Sequence, residues 1–192
     1  MILCYLFRTA DKGTIVEATD KLELDCYVDA DFAGLYCCEP DENPTSAKSR
    51  TGYIIVLGGF PLVLKSQLQT EISLSTLESE YSALSQSMRT LLPLRRTLLK
   101  TAQRIALWSI LLKTFACCNF EDNNGALLLA TGQRITSRTK YFLVKWHFFW
   151  SHFNSCEVEV MKVYTKEQGA DYHTKGLSCE QYETIRKLVQ GW

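Results

Sequence analysis

Two glutamates in one short stretch, Glu78 and Glu80, are the first residues whose spacing points to chemistry. In a helix, Leu77, Tyr81 and Leu84 repeat at intervals of four and three residues and form one apolar stripe. Glu80 lies at the edge of this stripe, whereas Glu78 falls outside it. A carboxylate at the rim of a buried stripe is unfavourable unless a cation or hydrogen-bond donors meet it. We therefore expect Glu80 to have either a basic partner or a place in a metal site with other acids.

Glu78 has a structural explanation that its neighbour lacks. It follows Ser75 by three residues, which is the spacing of a capping box at a helix N-terminus. The pattern predicts a helix from about Ser75 to Met88 or beyond, and Pro93 is expected to end or kink it. Residues 94–113 are predicted to be helical again, with scattered basic side chains that are interpreted as a solvated surface.

A second group of acids lies on a predicted strand, residues 22–31, in which apolar and polar residues alternate. The acids Asp25, Asp29 and Asp31 share its polar face. Three carboxylates on one strand face repel one another unless a cation lies among them. The alternation alone favours a solvated strand face, and a cation site is the alternative.

Two further aspartates stand at the borders of predicted elements. Asp122 follows a β-like run over residues 114–121 and precedes an apolar helix. It is either a group at the end of a strand, where catalytic residues of α/β sheets are common, or a helix N-cap. Residues 168–175 open a helical stretch that Asp171 could cap or decorate. The remaining predicted elements are strands at residues 50–57, 61–66 and 157–164 and a final helix at residues 179–189.

Convergence of the acids would create a site for divalent cations. Four carboxylates can hold two such ions about 4 Å apart, and hard oxygen ligands suit Mg²⁺ or Mn²⁺. Two cations held in this way activate a water on one side of a phosphodiester and stabilise the leaving oxygen on the other. The spacing along the sequence leaves the convergence itself open.

The composition predicts an intracellular domain whose overall charge favours neither anionic nor cationic partners. The 192 residues are 46% hydrophobic and 22% charged, with a formal net charge of zero, so any nucleic-acid binding must use local patches. No run reaches the roughly 18 apolar residues of a membrane helix, and the short apolar start lacks a basic leader. The eight cysteines include no Cys-x-x-Cys pair, so we interpret them as reduced thiols rather than zinc ligands.

Taken together, six segments resemble the RNase H domain of Copia-type LTR retrotransposon Pol polyproteins, in that family's order. They are YVDADFAG (27–34), SRTGY (49–53), LSTLESEYSAL (74–84), EDNNGA (121–126), SRTK (137–140) and ADYHTK (170–175). The resemblance implies an α/β, RNase H-like fold: a mixed five-stranded sheet with helices on both faces. It assigns residues 21–192 to the RNase H-like domain and residues 1–20 to a remnant of the upstream reverse transcriptase connection.

The resemblance also implies an activity and the residues that perform it. The family cleaves the RNA strand of an RNA–DNA hybrid with two Mg²⁺ ions, and Mn²⁺ is possible. Its four acids fall on Asp29, Glu80, Asp122 and Asp171. Asp29 would bridge both ions, with Glu80 and Asp122 on one and Asp171 on the other. The implied partners are the hybrid and the reverse transcriptase domain of the same polyprotein, in a cytoplasmic virus-like particle or the nucleus, with no membrane.

Four basic residues are candidates for contacts to phosphates, and simple solvation is their alternative. They are Lys48, Arg50, Arg138 and Lys140. Binding would come from phosphate contacts and the shape of the hybrid, without base recognition.

The chain also departs from the family's motifs. Tyr141 stands where a His is usual, Gly176 where a Pro is usual, and a Trp is missing near residues 64–65. Two alternatives to the implied activity stay open, and the departures bear on the first of them. One is a degenerate, non-catalytic remnant that retains the RNase H fold and weak nucleic-acid binding. The other is a nuclease built on the same acids that acts on DNA.

Overall fold

The computed structural model describes residues 2–16, 23–38, 43–105, 115–132, 150–155 and 157–190. The strands are β1 (Leu24–Asp31), β2 (Arg50–Leu57), β3 (Phe60–Leu68), β4 (Cys117–Glu121) and β5 (Glu159–Lys162). The helices are α1 (Ile2–Arg8), α2 (Thr76–Arg104), α3 (Asn124–Ala130), α4 (Asp171–Thr174) and α5 (Cys179–Gln190). Within these ranges, every helix is too short or too polar to cross a bilayer.

The five strands form one mixed sheet in the order β3-β2-β1-β4-β5. The hairpin pairs β1–β2 and β2–β3 are antiparallel, whereas β1–β4 and β4–β5 are parallel. This confirms the predicted five-stranded mixed sheet. The division of the chain near residue 20 stays a prediction, because residues 17–22 lie outside the described ranges.

Alternating side chains of the sheet face two helical layers. Cys26 and Val28 of β1 are fully buried in the larger core, where Leu84 of α2 and Leu129 of α3 pack against them. On the opposite face, Ile54 of β2 packs with two residues of α5 in a smaller core. The predicted placement of helices on both faces is therefore confirmed.

Helix α2 begins as the capping box predicts. The Glu78 backbone N–H donates to the Ser75 hydroxyl at 3.2 Å, and the Glu78 carboxylate accepts the Leu74 N–H at 2.7 Å. The predicted break or kink that separates two helices at Pro93 is wrong as a break, because α2 continues to Arg104. Pro93 lies on the exposed side of the helix, so the carbonyl that loses its N–H donor faces solvent.

The N-cap of α3 is Asn123, which corrects one interpretation of its neighbour. The Asn123 side-chain oxygen accepts the N–H groups of Gly125 at 2.9 Å and Ala126 at 3.1 Å. Since Asn123 caps the helix, Asp122 is not the N-cap. Its carboxylate is therefore available for another role at the end of β4.

A glycine on β2 lets α4 lie directly on the sheet. Gly52 is the register partner of Asp29 on β1. A Cβ atom at position 52 would lie 2.6 Å from the Thr174 methyl carbon, 3.0 Å from the His173 Cβ and 3.1 Å from the Ala170 carbonyl oxygen. Only a residue without a side chain permits this approach, which brings α4 beside the end of β1.

We expect Gly52→Ala to lower the free energy of unfolding by about 1–3 kcal/mol, because the added methyl group would overpack the contact with α4. Urea unfolding monitored by circular dichroism measures the loss. Gly176→Ala is the matched control, since a Cβ there meets no atom within 4 Å. Equal losses for the two variants would contradict the role assigned to Gly52.

Candidate metal centre

The parallel pairing of β1 with β4 places two aspartates at the same edge of the sheet. Tyr27 of β1 is the register partner of Phe120 of β4, and their rings stack with centroids 4.9 Å apart. Asp29 and Asp122 each lie two residues further along. Because parallel strands end at one edge, the two carboxylates meet where ligands of α/β sheets commonly bind.

Helix α2 contributes a third carboxylate from across the sheet edge. One oxygen of each of Asp29, Glu80 and Asp122 lies within 4.8 Å of those of the other two. These three residues, which we call the carboxylate triad, line an open cavity of about 540 Å³. Asp31, Thr76, Asn123 and Lys175 also line it. The structure thus brings together three of the four acids predicted from the sequence.

The fourth acid, Asp171, lies beside the triad and is paired with a lysine. Its Oδ1 atom is 2.8 Å from Nζ of Lys175, which is also 3.7 Å from Oδ2 of Asp29. Burial acts to lower the pKa of Lys175, but Asp171 and Asp29 outweigh it and raise that pKa overall. The ammonium therefore stays charged between the two aspartates. Sequence reasoning missed Lys175, although its position four residues after Asp171 on a helical stretch permits such a pair.

Glu80 supplies the test of whether a cation fits the triad. It is only 5% exposed, and the Ala30 backbone N–H donates to its carboxylate. Its Oε2 atom has no hydrogen-bond partner, and the ion pairs found within the described ranges leave out both Glu80 and Asp122. A buried oxygen without a partner is strongly unfavourable unless a cation meets it. The three oxygen donors fit Mg²⁺ or Mn²⁺.

Burial dominates the electrostatics of the two most enclosed acids of the triad. Burial, followed by the charges of Glu121 and Asp29, raises the pKa of Glu80 to about 10. Burial also raises the pKa of Asp29 to about 6, although Lys175 and the Thr174 hydroxyl oppose the shift. A divalent cation would favour the charged carboxylates and reverse both shifts.

A further buried acid, Glu121, stands directly behind the site and was not predicted. Its side chain is fully buried, one oxygen accepts the Asn123 N–H at 3.0 Å, and Oε2 has no hydrogen-bond partner. Burial raises its pKa well above the ordinary value. Its position as the last residue of a strand predicted at residues 114–121 is the one sign in the sequence that it lies at the sheet edge.

Residues 165–175 hold two of the acids and strand β1 in place through hydrogen bonds. The Thr165 hydroxyl donates to Oδ2 of Asp122 at 2.9 Å, and the Thr174 hydroxyl donates to Oδ2 of Asp29. The buried Gln168 side chain donates to the Val28 carbonyl at 2.7 Å. This cover leaves Asp29 only 2% exposed, so the favoured interpretation of a solvated β1 face is wrong at Asp29.

Two of the four residues predicted to contact phosphates, Lys48 and Arg50, lie within the described ranges. Arg50 is half-buried beside Asp31, its register partner, and its guanidinium donates to the Ser66 hydroxyl at 3.3 Å. Lys48 is half-buried in the segment that precedes β2. Arg138 and Lys140 lie outside the described residues. The role of all four in binding stays a prediction.

The sequence is similar to two plant retrotransposon polyproteins. It is 29% identical over 188 residues to the retrovirus-related Pol polyprotein from transposon TNT 1-94 of Nicotiana tabacum, which covers 98% of this chain and 13% of that protein. The corresponding polyprotein from transposon RE2 of Arabidopsis thaliana is 27% identical over 188 residues, covering 98% of this chain and 12% of that protein. The chain thus spans about an eighth of the length of these relatives. No protein-family model matches it.

Solved structures share the architecture at low sequence identity. The structure of LC11-RNase H1, isolated from compost by a metagenomic approach, has a TM-score of 0.51 at 15% identity, covering 86% of this chain and 96% of that one. LC11-RNase H1 in complex with an RNA/DNA hybrid has a TM-score of 0.50 at 14% identity, covering 79% and 93%. The chain has an RNase H-like fold and resembles part of a retrotransposon Pol polyprotein. The fold class and the resemblance predicted from the sequence are thereby confirmed.

We expect Glu80→Gln to stabilise this RNase H-like chain in EDTA, increasingly so as the pH rises. The pKa of Glu80 is raised from 4.5 to about 10 on folding, so the folded state holds a proton that the unfolded state releases between these values. Wild-type stability therefore falls with rising pH, by up to about 1.4 kcal/mol per pH unit, and the glutamine variant escapes this loss. Urea unfolding at pH 5.5, 7.0 and 8.5 measures the difference.

Glu78→Gln is the matched control for this prediction. It removes the same charge from the same helix, two residues away, and keeps an oxygen that can accept the Leu74 N–H. Its stability relative to wild type should change little over this pH range. If the free energies of unfolding of Glu80→Gln and wild type differed by the same amount at all three pH values, the pKa of Glu80 would not be raised by folding.

Proposed function

We propose that the chain is the RNase H domain of a retrotransposon Pol polyprotein and hydrolyses the RNA strand of RNA–DNA hybrids. The observation that carries the proposal is the carboxylate triad, in which the buried Oε2 of Glu80 lacks a partner. The RNase H-like fold and the similarity to Pol polyproteins support the same conclusion. We further propose that it acts beside the reverse transcriptase domain of the same polyprotein, in cytoplasmic particles or the nucleus.

The convergence of the triad supports a proposal for the residues that would hold the ions, and the family resemblance adds Asp171. Asp29, Glu80 and Asp122 would hold one Mg²⁺, and Asp29 with Asp171 would hold a second. Bound there, the ions supply an activated water and neutralise charge at the scissile phosphodiester. The protein's part is to keep its ligands in place: the Ala30 N–H holds Glu80, the Thr165 hydroxyl holds Asp122 and the Thr174 hydroxyl holds Asp29. These bonds fix the carboxylates before substrate arrives, which spares later reorganisation.

The substrate is proposed from the open cavity and from the solved relative. The cavity opens to solvent at the sheet edge, so a backbone phosphate could reach the triad without base recognition. A related fold binds an RNA/DNA hybrid, and we extend that substrate to this chain. Selection of the RNA strand would depend on the ribose 2′-hydroxyl, the group by which proteins distinguish RNA from DNA.

The test is cleavage of a labelled RNA–DNA hybrid in Mg²⁺. We expect wild type to cut the RNA strand and to leave duplex DNA of the same sequence intact. Asp29→Asn should lower the rate by at least about 100-fold, because loss of a metal ligand exceeds the 10- to 100-fold effect typical of an outer-shell partner. Denaturing gel electrophoresis of the end-labelled RNA measures the rate.

Asp25→Asn provides the matched control. Asp25 lies on the same strand, and burial together with Glu23 raises its pKa to about 6, much as for Asp29. It stands outside the triad, so its replacement should leave cleavage within about twofold of wild type. Salt-sensitive binding of the hybrid without cleavage would identify a non-catalytic remnant, and equal cleavage of duplex DNA would identify a DNA nuclease. Either result refutes the proposal.

A further inference from the structure

The ammonium of Lys175 is a charged group at the site to which the proposed function gives no role. It lies 2.8 Å from an Asp171 oxygen and 3.7 Å from an Asp29 oxygen, and both aspartates are almost completely buried. Lys175 itself is 39% exposed at its side chain, so its stem reaches inward from the mouth of the cavity. The ammonium therefore occupies the space between the two acids that the proposed function assigns to a second ion.

The site has two halves, the carboxylate triad and the Asp29–Asp171 pair, and Lys175 makes them differ. Asp29, Glu80 and Asp122 converge within 4.8 Å, whereas Asp171 is not part of that group. Glu80 Oε2 and Asp171 Oδ1 both lack a hydrogen bond of good geometry, but only Asp171 has a full positive charge 2.8 Å away. A divalent cation entering between Asp29 and Asp171 would meet a like charge at close range and lose the ligand oxygen that Lys175 binds.

We propose, on the basis of the proposed function, that Lys175 is a built-in counter-ion that competes with a divalent cation for the Asp29–Asp171 half of the site. The triad half binds its cation without this competition. A phosphate of the nucleic acid is the chemical group that can draw the ammonium aside, because lysine binds phosphate as a mobile point charge. Occupation of the second half is then coupled to the presence of the substrate backbone.

The backbone of Lys175, which directly follows α4, is held in place, so only its side chain needs to move in this exchange. The Lys175 backbone N–H donates to the Asp171 carbonyl, and the Thr174 hydroxyl donates to Asp29. Gly52 lets the helix lie flat on the sheet. The backbone is thus fixed on two sides, while the partly exposed ammonium can move to solvent or to a phosphate.

The experiment is a titration with Mn²⁺ in the absence of nucleic acid, monitored by electron paramagnetic resonance of the free ion. Wild type should bind one Mn²⁺ tightly and a second weakly. Lys175→Gln should bind the second at least about 10-fold more tightly, a change equivalent to about 1.4 kcal/mol. Adding Asp171→Asn to that variant should abolish the gain, because it removes the ligand that Lys175 had covered.

Two controls separate a local effect from a change in overall charge or folding. Lys100→Gln removes an exposed charge from α2 and should bind Mn²⁺ as wild type does. Lys175→Arg keeps the charge and should also retain the weak second site, which keeps the proposal testable if the glutamine variant unfolds. Circular dichroism verifies the fold of each variant.

The outcomes distinguish this inference from the function on which it rests. If wild type binds two Mn²⁺ equally well, if Lys175→Gln leaves the second affinity unchanged, or if Lys175→Arg tightens it, the inference fails. Hybrid cleavage by the same wild-type preparation would leave the proposed function standing in each case. Absence of both Mn²⁺ binding and cleavage would refute the proposed function and the inference together.

Discussion

Repulsion among buried carboxylates at the ends of β1, α2 and β4 is the constraint on which the rest of the site depends. Glu80 and Glu121 are almost fully enclosed, each has an oxygen without a hydrogen-bond partner, and each carries a pKa raised by burial. Core positions of this kind usually hold apolar side chains, since buried acids destabilise a fold unless a cation or a proton neutralises them. A site that is unfavourable for stability and is nevertheless surrounded by well-packed structure is typical of a functional centre. The triad is therefore better explained by a bound cation than by its contribution to the core.

The sheet topology makes this crowding unavoidable. Because β1 pairs in parallel with β4 and in antiparallel with β2, its end adjoins both Asp122 and Gly52. One neighbour supplies a second carboxylate, and the other leaves room for α4 to bring Asp171, Thr174 and Lys175 against the same edge. Asp29 and Asp122 thus become neighbours through strand register, and residues more than a hundred positions from Asp29 join them through the packing of α4. The hydrogen bond from Gln168 to the Val28 carbonyl holds the same strand at the preceding residue, so the position of Asp29 is fixed by several contacts.

Local patterns predicted the elements well, because each pattern reports on a local interaction. Alternation located β1, a run of β-forming residues located β2, and the Ser75–Glu78 spacing located the start of α2. The predicted helix end at Pro93 was wrong because the effect of a proline depends on which side of the helix it faces, and the exposed side tolerates it.

The site was harder to predict, since spacing along the sequence carries no information about which side chains come together in the fold. The likeness to a known family suggested the four acids, whereas Lys175 and Glu121 escaped notice because their importance arises only from contacts across the sheet.

Metal binding and folding should be linked in this chain more closely than the small size of the site suggests. Two of the contacts that hold residues 165–175 in place are made to the acids themselves: Thr165 donates to Asp122, and Thr174 donates to Asp29. When the acids lack a cation, protonation of Glu80 is one way to relieve the strain, and the ammonium of Lys175 relieves it near Asp171. A cation that binds only the folded state adds stability that grows with the logarithm of its concentration. A cation bound to the folded chain would therefore also stabilise the packing of residues 165–175 on the sheet, in addition to the Gln168 hydrogen bond and the close contact over Gly52.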